Sequence, residues 1–169
     1  MLETTKNFIR DLDIDSGNVR VAIITYSTNV RVEFDLDTFT DRDTITRAVD
    51  NIKYVYGDTN TADAIKMMRT RAFSTRNGDR PDVPNVCVII TDGVSNINAY
   101  ETIPEANLAR QQGVEIYAIG IGVSQSRELD GIAGNPSNRF DFENFEDVEI
   151  QMETIYQHLC NGNCFVRVN

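Results

Sequence analysis

The chain has 169 residues, 41% of them hydrophobic, enough for one domain to bury a full core without disulfide or metal staples. Its formal net charge of −10 argues against nucleic acid as a partner, because binding a phosphate backbone draws on clustered Lys and Arg; divalent cations and basic protein surfaces suit it better. No run approaches the roughly 18 apolar residues of a membrane span, and the opening Met1-Leu2-Glu3-Thr4-Thr5-Lys6-Asn7 is too polar for a secretory signal, so no membrane insertion is expected.

Leu2, Thr5, Phe8, Ile9 and Leu12 follow helical spacing up to the turn signal Asp15-Ser16-Gly17-Asn18. Val19 to Tyr26 is β-branched and apolar, Ser27-Thr28-Asn29 interrupts it, and Val30 to Phe34 alternates. That pair predicts a hairpin whose second strand is half exposed at a sheet edge. Thr40 with Asp43 predicts the cap of a helix burying Ile45, Ala48, Val49 and Ile52. Beyond the polar loop Gly57-Asp58-Thr59-Asn60, a second amphipathic helix buries Ile65, Met68 and Ala72. A loop with Gly78, Pro81 and Pro84 leads into Asn85 to Thr91, an unbroken apolar run that predicts a strand buried on both faces. There follow a helix over about Ile103 to Gln112 stopped by Gly113, a buried strand Val114 to Ile121, a short helix near Ser126 to Ile132 and a brief strand around Phe140. A last helix carries Val148, Met152, Ile155 and Leu159 on one face. The alternation predicts an α/β fold, Rossmann-like and doubly wound: a mostly parallel sheet with one antiparallel edge strand and helices on both faces. One domain over 1–160 is expected, leaving 161–169 as a tail or the start of a linker.

The central run stops at Asp92-Gly93. In open parallel sheets ligands bind beyond the carboxyl ends of the strands, so an acid delivered there is placed for a cation; a turn-ordering Asp before Gly93 is the plainer alternative. Thr59 lies just before a helix start, in a loop that opens on the same rim, and there an N-cap or turn role is the plainer alternative. Both supply the oxygen donors that hard divalent cations take.

Four segments in order carry a family likeness. Val19-Arg20-Val21-Ala22-Ile23-Ile24-Thr25-Tyr26-Ser27, Gly57-Asp58-Thr59-Asn60-Thr61, Val88-Ile89-Ile90-Thr91-Asp92-Gly93 and Ile116-Tyr117-Ala118-Ile119-Gly120-Ile121-Gly122 resemble the second strand, the metal-binding threonine loop, the fourth strand with its metal-binding aspartate and the fifth strand of the von Willebrand factor type A domain. The resemblance covers nearly the whole chain. It implies a metal-ion-dependent adhesion site at which Mg²⁺ or Mn²⁺, held partly by Thr59 and Asp92, accepts a partner's carboxylate. It also implies secretion into the extracellular matrix and a matrix protein as ligand.

One part of that pattern is missing. The family's first strand ends in Asp-x-Ser-x-Ser and lies mid-sheet, whereas this chain starts with the helix that should follow it; Asp13-Ile14-Asp15-Ser16 has neither the place nor the spacing. The site is therefore expected to be weak and incomplete, and two strand edges are expected to lack partners. The leading expectation is a fragment of a longer secreted protein; the alternatives are a strand supplied by another protomer, or closure of the gap by the flanking strands.

Cys87 reads as a core residue, while Cys160 and Cys164 suggest disulfide chemistry of undetermined pairing. Asp58 reads as a solvated turn residue or an outer carboxylate, and Gly120 and Gly122 as close-packing positions. Tyr54 and Tyr56 either meet a partner or pack on the neighbouring helix, and Val94, Ser95, Asn96 and Tyr100 are further rim contacts of undetermined ligand. The lone histidine, His158, lies far from the rim, and no Gly-x-Ser-x-Gly elbow or phosphate loop occurs, so no enzyme is expected. The reading is a non-catalytic adhesion or matrix-assembly module binding an extracellular protein. Its alternative is a metal-independent module that self-associates through surfaces or strand edges; a remote one is an Mg²⁺-dependent phosphoryl-transfer enzyme.

Overall fold

The structure, a computed structural model, describes residues 1–123, 127–151 and 154–156. Helix α1 (Leu2–Arg10) precedes an antiparallel hairpin of β1 (Ile23–Tyr26) and β2 (Val30–Phe34). Helices α2 (Arg42–Asp50) and α3 (Thr61–Met67) follow, α3 running on through a π-helical turn, Met68–Ala72. Strand β3 (Asn85–Thr91), helix α4 (Ala99–Gln111), strand β4 (Val114–Ile121), helix α5 (Arg127–Ala133), strand β5 (Arg139–Phe142) and helix α6 (Phe145–Ile150) complete the order. The strands β3, β4 and β5 form a parallel sheet in that order, and β1 with β2 forms a separate two-stranded one.

Alternation along β4 sets the layers. Ile116 and Ala118 face α3, α4 and α5, packing with Ile65, Ala106 and Leu129. Ile119 and Ile121 face the opposite side with Phe8 of α1, Phe142 of β5, Val148 of α6 and Ile155. A third cluster joins Ile9 of α1 and Ile45 and Val49 of α2 to Phe34. Helices thus cover both faces, as the alternating pattern predicts. Gly120 sits directly under Leu129 and Val123, leaving no room for a side chain at the end of β4.

Several boundaries differ from the sequence reading. Val19 to Ala22 is not strand: Val19 and Val21 pack on the third cluster without ladder partners, and β1 begins only at Ile23, beside a register irregularity. The cap of α2 is Asp41, whose side chain accepts the Thr44 N–H at 2.9 Å, rather than Thr40. Helix α4 starts at Ala99, four residues earlier than expected, and Pro104 lies inside it. Its end matches, with Gly113 at φ +85°. Ser126, Met152, His158, Leu159, Cys160, Cys164 and the expected tail 161–169 lie outside the described residues.

The largest difference concerns β3. Its Val88 and Ile90 are only partly buried and Val86 is 37% exposed, whereas Tyr117 and Ile119, paired with Val88 and Ile90 on β4, are buried. A strand with a neighbour on one side only cannot bury both edges. Among the described residues no backbone hydrogen bond joins β1 to β3, so the flanking strands do not close the gap; the Tyr26 hydroxyl crosses instead, donating to the Ile90 carbonyl at 3.1 Å.

Candidate cation-binding rim

Strands β1 and β3 end at Tyr26 and Thr91, and three loops meet beyond them. The hairpin turn anchors the first junction. Asn60 N–H donates to the Ser27 carbonyl at 3.0 Å, Asp58 N–H to Thr28 Oγ1 at 3.0 Å, and Gly57 lies so close to Thr28 that a side chain there would collide. Asn60, which is buried, caps α3: its Oδ1 accepts the Asp63 N–H at 3.2 Å. Capping by Asn60 leaves the hydroxyl of Thr59 uncommitted to the helix end.

Asn96 ties the second junction. Its Oδ1 accepts the Thr59 N–H at 2.8 Å, its own N–H donates to the Thr59 carbonyl at 3.0 Å, and its Nδ2 donates to Asp58 Oδ1 at 3.2 Å. Asp58 is therefore a held, exposed carboxylate rather than a freely solvated one. Gly93 is the point of contact between the loops, since a Cβ built on it would lie 3.2 Å from Thr59 Oγ1. The structure thus brings Thr59 against the residue that follows Asp92.

Asp92 itself is held outward by a local turn. The buried Thr91 donates its hydroxyl to the Gly93 carbonyl at 2.8 Å and accepts the Gly93 N–H at 3.2 Å. The Asp92 carboxylate is exposed and forms no ion pair with any described residue. Behind it, Ser95 N–H donates to Glu128 Oε1 at 3.0 Å and Ser95 Oγ meets Thr102 Oγ1 at 3.1 Å, which fixes the loop from α5 and α4. The Met1 amino group lies within the field of Asp92, Glu149 and Glu3. Burial lowers its pKa more than those charges raise it.

The candidate donors are two hard oxygens on two loops, Thr59 Oγ1 and the Asp92 carboxylate, with the Asp58 carboxylate on the Thr59 loop. Among the described residues there is no group of three or more His, Cys, Asp or Glu side chains placed to hold a metal. That chemistry fits a divalent cation that completes its shell largely with water, and it fits no tighter cage. Burial pushes the Cys87 thiol up to about 12, as suits an inert core residue. Tyr54 and Tyr56 do not pack on a helix: they are 71% and 86% exposed and stand edge to face on each other, 4.6 Å apart. Val94 and Tyr100 are also exposed, whereas Ser95 is buried. The sequence reading took Asn96 only as a rim contact, because an amide that bonds to a loop 37 residues away leaves no local pattern, and it passed over Asn60 as a cap although Asn before a helix is a local capping signal.

The comparisons agree with this geometry. The family model for the von Willebrand factor type A domain matches residues 1–157. The transmembrane cell adhesion receptor mua-3 of Caenorhabditis elegans is 35% identical over 93% of this chain, and matrilin-2 of Mus musculus is 34% identical over 95% of it. This chain spans only 4% and 17% of those two proteins. Among solved structures, proximal thread matrix protein 1 from the mussel byssus, described with a zinc-occupied MIDAS motif, matches at a TM-score of 0.88 with 23% identity, over 95% of this chain and 42% of that one. With four motifs in order, the rim loops at the strand ends and a family match over 157 residues, this chain belongs to the von Willebrand factor type A domain family.

Proposed function

We propose that this domain is a non-catalytic adhesion or matrix-assembly module that docks an extracellular protein, a matrix component, on the rim formed by the Thr59 and Asp92 loops. One observation supports the reading: Asp92, an exposed carboxylate with no described ion-pair partner, directly precedes Gly93, the residue that meets the Thr59 hydroxyl, which the cap of α3 does not use. Thr59 and Asp92 would hold Mg²⁺ or Mn²⁺ weakly, the remaining positions taking water. A bound cation supplies an open coordination position for a partner's acidic side chain. The chain's own residues do the rest: Asn96 sets the spacing of the two loops, Glu128 backs Ser95, and Asp58 adds negative charge beside the donors. The names of the relatives, a cell adhesion receptor and a matrilin, support the reading and its extracellular setting.

Calorimetric titration with Mg²⁺ and Mn²⁺ tests it, run on the chain and on Asp92→Ala. Saturable heat in the first and none in the second is expected; indistinguishable traces would remove the cation from the reading. Edges of β1 and β3 that pair with no described strand favour a second reading, metal-independent association. A dimer in light scattering that persists in chelator would decide for it.

A further inference from the structure

We propose that Tyr54 and Tyr56 form an aromatic corner that takes an arginine side chain of a protein partner. The inference makes no use of a metal ion at Thr59 and Asp92, and it starts from an anomaly of burial. Phe8, Phe34, Phe142, Tyr117 and Tyr156 are buried, yet Tyr54, Val55 and Tyr56 stand in a row at 71%, 58% and 86% exposure. Single apolar residues at a surface are ordinary, whereas three consecutive ones left in water mark a place of contact.

The two rings meet edge to face, their planes 88° apart and their centroids 4.6 Å from each other. An aromatic face carries the negative part of the ring quadrupole and the edge its positive part, so two perpendicular faces enclose a corner with two negative walls. For rings so placed, a group touching both faces at about 3.8 Å lies about 3.9 Å from one centroid and about 5.4 Å from the other. Both distances fall within the roughly 6 Å over which a cation and a ring attract. A planar guanidinium suits the corner better than a round ammonium, because it stacks flat on one ring and turns an N–H edge to the other.

The corner stands next to fixed backbone. Gly57 lies against Thr28 with no room for a side chain, and Asp58 is held twice, its N–H donating to Thr28 Oγ1 at 3.0 Å and its Oδ1 accepting from Asn96 Nδ2 at 3.2 Å. These anchors belong to the hairpin turn and to the loop after β3, not to the seam between β1 and β3. Charge then selects the occupant. From Asp50 to Asp63 three aspartates, Asp50, Asp58 and Asp63, stand against one base, Lys53, and the whole chain carries −10. A proline or sugar ring would meet the same faces but draw nothing from that field, whereas an arginine is attracted by both.

The experiment is an NMR titration of the full chain, in chelator throughout so that its failure and the failure of the metal reading are separate results. The probe is acetyl-Gly-Arg-Gly-amide, and the control carries citrulline, which keeps the planar end group and loses the charge. Saturable shifts of the ring protons of Tyr54 and Tyr56 are expected with the arginine peptide, and binding weaker by about fivefold or more with citrulline. Replacing both tyrosines by Leu should weaken the arginine peptide by a similar factor, read at the Gly57 and Asp58 amides, whereas replacing both by Phe, which keeps the faces, should match the parent. Absent ring shifts, equal binding of citrulline or of acetyl-Gly-Pro-Gly-amide, or full affinity in the leucine variant would overturn the proposal. Ring shifts that follow protein concentration alone would give the corner to a second copy and overturn it too. Both tyrosines are exposed, so the replacements remove no core packing, and the titration of the unaltered chain decides by itself.

Discussion

Thr59 and Asn96 exchange hydrogen bonds in both directions, backbone to side chain at 2.8 Å and backbone to backbone at 3.0 Å. This reciprocal pair, and not an acidic cluster, holds the two rim loops in register. Asn96→Ala removes the side-chain acceptor for Thr59 N–H and the donor to Asp58. A loss of about 1 kcal/mol in urea unfolding is expected, together with weaker Mn²⁺ binding by calorimetry. Unfolding and Mn²⁺ traces that both match the parent would show that the pair does not organise the rim.

Gly78 and Gly113 both adopt left-handed φ, +90° and +85°, yet they sit in different surroundings. A Cβ at Gly78 would lie 2.6 Å from the Asp37 backbone N, whereas nothing lies within 4 Å of one at Gly113. Gly113→Ala is expected to cost about 1 kcal/mol, from backbone strain alone. Gly78→Ala adds a collision with backbone and should cost about 2 to 4 kcal/mol. Chemical denaturation of the two variants, compared directly, checks the difference.

Arg69 and Glu105 form a largely buried ion pair, Nε to Oε2 at 2.6 Å, between the π-helical turn and α4. Glu105→Ala strands the guanidinium and should destabilise by about 3 kcal/mol. The double replacement Arg69→Met with Glu105→Leu should recover most of that, because two apolar side chains need no partner. Guanidinium melts of single and double variants measure the recovery; a double variant no better than the single one would refute the account.

The Asp41 carboxylate receives the Thr44 hydroxyl at 2.5 Å and the Thr44 N–H at 2.9 Å, and those bonds, the hydroxyl first, hold its carboxyl below the ordinary aspartate value. A depressed carboxyl binds protons less readily in the folded state, so its contribution is complete above pH about 4. It is lost as pH falls through the lowered native value. The gap in melting temperature between the parent and Asp41→Ala should hold constant from pH 7 to 5 and narrow toward pH 2. A gap that does not change with pH would show that the cap works without its charge.

The elements that lean on local pattern were readable from sequence: β4 as a buried strand from Val114 to Ile121, the hairpin from Ser27-Thr28-Asn29, the end of α4 from Gly113. Those that depend on neighbours were not. Val86 and Val88 carry the composition of a doubly buried strand, but exposure there is decided by what lies across the seam, which the run itself does not encode. The helix expected from about Ile103 begins at Ala99, and its entry passes through Asn98 at φ 49°, which no local pattern announced. At the rim, Asp92 was singled out by its place after a strand end and Thr59 by its place before a helix start. Of the amides that fix them, Asn96 acts over distance and had no signature, whereas Asn60 carried the local one of a cap, bonding the Asp63 N–H three residues on, and was passed over.

Gly93 also decides how wide the rim can open. A Cβ there would lie 3.2 Å from Thr59 Oγ1, so any larger residue must displace the Thr59 loop, and the Asn60 cap of α3 would be dragged with it. The aperture between the loops is thus gauged by main chain, with no side chain available to adjust it at that point.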